Sequence, residues 1–293
     1  MKGVKEIRNR IRAVDSVSKI TSAMQLVAAS KMRRAQDFAI NSRPYLLHLA
    51  KVVARLPEKK IKKKTHPFFI TRKTIRRCVI VVGTDKGLCG VLNNNLFRSV
   101  SNDEGVQFVS VGRKAMQFLS RTKRPLLASF SINDRVQYHE VLGICDFIAK
   151  LYIDGEIDVV EVLYQKFINT LSYMPKLQKI LPMTGFYEEF EAMLNAARVE
   201  QEKFKGDPRE LMFEPDLKQI IDHIAKIFLK YNLHQVLLEA KASEHSARMV
   251  AMKNATDSAE TIAQELKLEY NKARQCAITS EIIELAAAAI ESN

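Results

Sequence analysis

Apolar residues recur near the start of the chain in steps of three and four, at Val4, Ile7, Ile11, Val14, Val17, Ile20, Met24 and Val27. That spacing predicts an α-helix with a narrow apolar stripe of the coiled-coil kind. Leu26, Ala28, Ala29 and Met32 widen the stripe, as though this section met more than one neighbour, and Arg33 and Arg34 return it to charge. At the other end Met249, Thr256, Ala263, Tyr270 and Ala277 recur at sevens, interleaved with Met252, Ala259, Leu266, Ala273 and Ser280. This second register is rich in small residues, which let helices approach closely but bury little area, so a thin seam is expected.

Helix breakers are absent from both ends. No glycine or proline lies between Val4 and Arg43 or after Pro215, and nine of the ten glycines fall between Gly83 and Gly206. Helices over these stretches would run roughly 60 Å and more than about 100 Å, longer than a compact domain of this size is wide. The economical way to cover their stripes is to pair the two ends as one antiparallel coiled coil rooted in the middle of the chain. Pro44 is expected to kink the first helix, because a helix-compatible run from Tyr45 to Leu56 follows it, and Pro57 to end it. The end of the last helix, EIIELAAAAI (281–290), is apolar on nearly every side and calls for a hydrophobic socket.

The middle alternates. Strands are expected at 78–83, 106–112, 126–130 and 158–167, with helices near 89–99, up to Leu119 and near 134–152. The stretch from Ile168 to Met183, with Pro175 and Pro182, could add an edge strand, and a charged helical piece near 187–205 precedes the final helix. The fold class is therefore α/β plus long helices: a small doubly wound, Rossmann-like, largely parallel sheet attached to a helix pair. The expected segments are 1–57, the first long helix; 58–77, a basic connector; 78–207, the α/β domain; and 208–293, the last long helix.

Charge sharpens this picture. The net charge is +13, yet residues 1–77 hold 21 Lys and Arg against 4 Asp and Glu, so the remainder is slightly acidic. A basic block suits nucleic acid, anionic lipid or an acidic protein surface. No aromatic residue lies in the first 37 positions to stack on bases, which counts against nucleic acid. The run EKKIKKK (58–64) reads as a solvated connector. No apolar run approaches a membrane span, and MKGVKEIRNR lacks the apolar core of a secretory signal, so residue 1 reads as the working start.

Chemistry is hard to assemble from these residues. Cys78, Cys89, Cys145 and Cys276 are scattered and read as buried, reduced thiols of a cytoplasmic protein, and the six histidines are far apart, with His223 and His234 expected on the surface of the last helix. GTDKGLCG (83–90) lies between a strand and a helix but matches neither phosphate-loop nor dinucleotide spacing, so its glycines read as serving a tight turn. No nucleophile, base and oxyanion donor come together, and the chain reads as non-catalytic, without metal or cofactor.

Three segments resemble one family, the gamma subunit of the F-type ATP synthase. KEIRNRIRAVDSVSKITSAMQLVAASKMRRAQ (5–36) is similar to its N-terminal signature, GTDKGLCGVLN (83–93) to its glycine turn, and ARMVAMKNATDSAETIAQELKLEYNKARQCAITSEIIEL (247–285) to its C-terminal signature. Val91 stands where the family more often has a second glycine. The resemblance implies a single-copy rotor shaft of the proton-translocating enzyme. It would thread the hexameric head of alpha and beta subunits, with its foot against the epsilon subunit and the c-ring, on the cytoplasmic face of a bacterial inner membrane and membrane-associated only through the complex. It implies partner contacts at Met24, against the lever region of beta; at Arg33 and Arg34, against acidic loops of the head; and at Arg248, Gln275, Thr279 and Glu281, positions tied to coupling. Phe213 would lie near the ring, and the tip from Ile282 to Ile290 would occupy an apolar bearing. For the charged positions the plainer reading is surface ion pairing. A basic coiled-coil adaptor and a Rossmann-like nucleotide-binding protein remain as alternatives read from the residues alone.

Overall fold

The computed structural model describes residues 3–41, 43–54, 66–73, 75–101, 103, 105–184, 190, 195, 214 and 216–291. The basic run 58–64, and all of 187–205 except residues 190 and 195, lie outside the described residues. The chain divides into two compact units: Met1–Ala29 with Arg248–Asn293, and Ser30–Ala247.

The first unit is built from the outer parts of two helices, α1 (Val4–Asn41) and α6 (Leu217–Glu291). On α1 the seam takes positions 4, 7, 11, 14, 18, 21, 25 and 28, all partly or fully buried. On α6 the covered seam positions are 249, 252, 256, 259, 263, 266, 270, 273 and 277, which is the expected heptad register apart from Ser280, which is exposed. The Thr21 and Thr256 hydroxyls meet at 2.7 Å. In an antiparallel register anchored on that pair, Ile7 falls opposite Tyr270, Val14 opposite Ala263 and Ala28 opposite Met249.

The α1 stripe departs from expectation after Val14. Val17, Ile20 and Val27 are 50%, 59% and 55% exposed, and Ser18, Thr21, Gln25 and Ala28 take the covered places instead. The reason is periodicity. A seam must alternate threes and fours to stay on a partner helix, whereas Ile11, Val14, Val17 and Ile20 advance by three consecutive threes and carry the apolar stripe off the seam.

At the seam's centre each threonine hydroxyl also lies within reach of its own helix, Thr21 Oγ1 at 3.0 Å from Ser18 O and Thr256 Oγ1 at 3.0 Å from Met252 O. A lone hydroxyl left by its partner can still donate there. Thr21→Val or Thr256→Val alone should therefore cost about 1 kcal/mol, and the double replacement no more than either single. A double-mutant cycle on thermal melts of the purified chain checks this, and fully additive losses would refute it.

The second unit is built on a five-stranded sheet of order β3-β2-β1-β4-β5. Its strands are β1 (Arg77–Val82), β2 (Val106–Val111), β3 (Leu126–Phe130), β4 (Val159–Phe167) and β5 (Tyr173–Leu181). All neighbours are parallel except β4 and β5, so the expected edge strand exists and returns antiparallel to its predecessor. β1 is central and buried on both faces. Cys78, Ile80 and Val82 enter one core with α2 (Arg43–Ala54), α5 (Tyr138–Ile153) and α6, through residues such as Val53, Ile144, Phe228 and Leu237. Val79 and Val81 enter the other with α3 (Leu92–Arg98) and α4 (Arg113–Arg121), through Leu96, Ala115 and Leu119. That two-sided burial is what a doubly wound sheet requires of a central strand.

Local chemistry sets the helix starts. Helical structure resumes at Arg43, so Pro44 sits in the first turn of α2, where its missing N–H is not needed. Asp216 opens α6, its carboxylate accepting from the Gln219 N–H at 2.7 Å. Among the cysteines Cys78, Cys89 and Cys145 are buried as expected, and burial pushes the Cys78 and Cys145 thiols up to about 12. Cys276 is exposed, contrary to expectation, because the seam takes Ala273 and Ala277 and leaves 276 outside it.

His66 precedes a single turn of 3-10 helix, Pro67–Phe69. Its Nδ1 accepts from the Phe68 N–H at 3.2 Å, so Nε2 carries the proton and donates to Asp222 at 2.7 Å. Burial holds this imidazole below its ordinary value of 6.5 despite the carboxylate beside it, so near neutrality the contact is a hydrogen bond of a neutral ring. The unfolded chain takes up this proton first as pH falls. The stability His66 contributes is therefore full above 6.5 and is lost as pH falls from there through the lowered folded value. A melting-temperature drop between about pH 7 and 5 that shrinks in His66→Gln is the expected result, and an equal drop in both would refute it.

Candidate functional site

In an open α/β sheet, ligands bind outside the carboxyl ends of the strands, where the order reverses. Here that point lies between β1 and β4, since the chain moves from β1 outward to β2 and β3 before crossing back to β4. The loop after β1 begins with Gly83, whose N–H donates to Val111 O at 2.9 Å. A Cβ on Gly83 would lie 2.9 Å from the Ala115 nitrogen, and one on Gly112, at φ +90, would lie 2.5 Å from Gly83 O. These two glycines let the ends of β1 and β2 and the start of α4 meet backbone to backbone. The expected role of a tight turn belongs to Leu88 and Gly90, which hold the left-handed conformations at φ 61 and 58.

The crevice these loops frame is filled. Lys241 and Glu244 of α6 reach into it, with the Lys241 ammonium 3.1 Å from Glu244 and 3.5 Å from Asp85. Burial alone would lower Lys241, and the Glu244 and Asp85 carboxylates beside it hold it above its ordinary range. Asp85 is fixed in turn by the Arg113 N–H at 3.1 Å, and Asn93 ties the loop together by donating to Thr84 Oγ1 at 2.8 Å. The space that remains, lined by Val82, Gly112, Ile132, Gln165 and Leu237 among others, is about 10 Å³. That admits one water molecule and no nucleotide. The buried Gln165 side chain donates to Leu92 O at 2.8 Å, and Ser243 Oγ of α6 donates to Gln165 O at 2.8 Å.

The residues expected at partner contacts are spread along the long helices. Met24 is half-buried on α1 between exposed Ile20 and Val27. Arg33 and Arg34 are exposed, with Arg34 donating to Ser30 Oγ at 3.2 Å. Arg248 is buried, which corrects the plainer reading of it as a surface ion pair. Gln275, Thr279 and Glu281 are exposed, and Thr279 Oγ1 donates back to Gln275 O at 2.9 Å. Ile282 is 60% exposed, whereas Phe213 and the side chain of Ile290 lie outside the described residues. His234 is half-buried rather than on the surface, donating from Nε2 to Val136 O at 3.0 Å.

Among the described residues no pair of facing catalytic groups emerges from this geometry. What the surface offers instead is length and apolar exposure: Val17, Ile20, Leu26 and Val27 on α1, and Ile262, Leu268, Ile278, Ile282 and Ile283 on α6. Sequence reasoning placed three of the α1 residues inside the seam and missed Leu268, which at 72% is the most exposed large apolar residue of α6. The signal that could have separated seam from surface was the heptad itself, continued strictly from Val4.

A family model described as ATP synthase matches residues 3–290. The ATP synthase gamma chain of Opitutus terrae is 42% identical over 289 residues, covering 98% of both chains, and that of Pasteurella multocida is 39% identical over 298 residues, covering 99% of both. Among solved structures, a rotor chain of the Euglena gracilis mitochondrial ATP synthase superposes with a TM-score of 0.62 at 16% identity, over 94% of this chain and 98% of its own. A chain of the Tetrahymena thermophila mitochondrial ATP synthase central stalk and c-ring gives 0.57 at 25% identity, over 80% and 99%.

Proposed function

From its membership of the ATP synthase gamma-chain family, to which this chain belongs, we propose that it is the central rotor shaft of a proton-translocating F-type ATP synthase. It is a rotor subunit rather than a catalytic one. Turning of the c-ring rotates the shaft inside a head of alternating alpha and beta subunits, and each angle of an asymmetric shaft favours a different combination of open and closed sites. In energetic terms the shaft is a ligand with unequal affinity for the states of the head, and reciprocity lets ATP hydrolysis drive it backwards.

The observation that carries this reading is the apolar stripe left outside the seam of α1. A helix already paired along its length still presents Val17, Ile20 and Val27 outward, which is costly in water and suited to a surrounding apolar wall. Met24 lies on that stripe and makes the lever contact with beta. Arg33 and Arg34 face acidic loops of the head; Arg248, Gln275, Thr279 and Glu281 tune coupling; Ile282 to Ile290 fills the apolar bearing; and Phe213 lies near the ring. The sheet unit is the foot, against the epsilon subunit and the c-ring. Among the described residues no helix is long and apolar enough to cross a membrane, and the chain is held at the membrane through its complex, on the cytoplasmic face of the inner membrane. The nucleotide-binding alternative loses ground to the filled crevice.

Mixing the chain with cognate alpha and beta subunits, followed by size-exclusion chromatography and ATP hydrolysis, tests the proposal. One copy joining an alpha-three, beta-three assembly with raised sustained turnover supports it. A chain that elutes alone, with turnover unchanged, refutes it.

A further inference from the structure

Within the sheet unit, both long helices are fastened to loops at the carboxyl ends of the strands by buried or half-buried polar ties. The first is on α1, where the Lys31 ammonium lies 2.5 Å from Asp134 in the loop between β3 and α5. The second is on α6, where Lys241, 3.1 Å from Glu244 of its own helix, also reaches Asp85 in the loop after β1, at 3.5 Å. Between them His234 of α6 holds Val136 O, two residues beyond Asp134.

The loop carrying Asp134 is strained. Val136 is a buried, β-branched residue at φ 47, a strained conformation that persists only where the surroundings over-determine it. They do so here. Glu140 accepts from the Asn133 and Gln137 N–H groups at 3.1 and 2.9 Å, the Val136 N–H donates to Asn133 O at 3.0 Å, and α1 and α6 grip the loop from Lys31 and His234. Burial would raise the Asp134 carboxyl, but Lys31, with His245 and Lys241 further off, holds it below the usual carboxylate range.

Neither a part-exposed ion pair such as Lys31–Asp134 nor a buried one such as Lys241–Asp85 adds much net folding stability compared with apolar packing, and the best-attested use of the buried kind is to fix register. Apolar contacts are non-directional and resist sliding weakly, whereas a charged contact, short at Lys31–Asp134 and longer at Lys241–Asp85, resists displacement sideways. We propose that Lys31–Asp134 and Lys241–Asp85 are torque-bearing ties, whose residues act as positioning residues that fix the rotational phase of α1 and α6 against the sheet. The inference rests on the rotor reading given above: torque generated at the foot must leave the sheet through these two helices, and each has its own ionic tie to a strand-end loop.

The test uses single alpha-three, beta-three, gamma complexes held by the head, with a rod attached to the sheet unit, and reads the width of its angular fluctuation during the pause for ATP. Asp134→Ala removes the ionic tie of α1, so the variance should rise about twofold, while unloaded ATP hydrolysis is unchanged. The exchange Lys31→Asp with Asp134→Lys should restore the narrow width, which a general loosening of the fold would not. A width equal to that of the unaltered complex overturns the proposal. Should Asp134→Ala fail to assemble, Asp134→Asn, which keeps shape and acceptor but drops the charge, is read instead, and an unchanged width again overturns it. An unaltered complex that hydrolyses ATP but never rotates the rod would overturn the rotor reading itself.

Discussion

Replacing Met24 with lysine lowers the protons pumped per ATP hydrolysed by about 5-fold or more in reconstituted vesicles, while leaving assembly intact, because on the proposed lever contact it loads a charge onto a surface whose value lies in its difference between rotor angles. Met24 is half-buried on α1, flanked on the same side by Ile20 and Val27, which are outside the seam. The helix pair loses little, since a lysine stem can cover the same surface and keep its ammonium in water. On the proposed reading the cost arises when the stripe meets the head. A desolvated, unpaired ammonium there costs several kcal/mol, and the shaft avoids the angles that bury it. Proton uptake by dye quenching, divided by phosphate release on the same vesicles, gives the ratio. An unchanged ratio in a normally assembled complex would mean that this stripe does not bear on the lever.

Gly112→Ala destabilises the sheet unit by about 3 kcal/mol or more, a large fraction of the roughly 5–15 kcal/mol that holds a domain together. Two effects add. The residue sits at φ +90, where a side chain is strained, and the new Cβ would stand 2.5 Å from Gly83 O, a backbone atom that cannot swing aside. Two other glycines separate these terms. Gly105 has φ +82 with open space around it, so Gly105→Ala should lose only the conformational part, about 1 kcal/mol. Gly87 has neither a positive φ nor a neighbour within 4 Å, so Gly87→Ala should be close to neutral. Chemical denaturation of the three variants should rank them 112, 105, 87 in loss, and a Gly112→Ala chain as stable as Gly87→Ala would refute the close-approach account.

The parts of this fold legible in the sequence are those where burial and composition agree. β1 reads as a strand because CVIVV is apolar at every position, as a strand covered on both faces must be, and the α6 seam reads correctly because Met249, Thr256, Ala263, Tyr270 and Ala277 keep a strict seven-residue repeat, which outweighs the nearby Ile262 and Leu268 outside it. α1 misled for the opposite reason. Its outward positions, Val17, Ile20 and Val27, are more apolar than Ser18, Thr21 and Gln25, which face the partner, so hydrophobicity pointed to the wrong side and only strict periodicity pointed to the right one. Lys241, Glu244 and Arg248 were illegible as interior residues because a charged side chain on a helix is ordinarily solvated, and their cover comes from groups distant in sequence, such as Asp85 for Lys241. His234 was hidden likewise, its acceptor being a backbone carbonyl about a hundred residues away.

The occupied crevice at the end of β1 can be viewed as a binding equilibrium that has been closed. Folds of this shape leave that hollow free so that a diffusing molecule can enter, react and leave. In this chain the guest is Lys241 with its neighbours on α6, delivered by the polypeptide itself. A tethered guest has an effective concentration set by the fold rather than by the cell, and no route of departure short of unfolding. Competition by a soluble metabolite is thereby removed, and the recognition energy of the hollow becomes permanent anchorage for a helix.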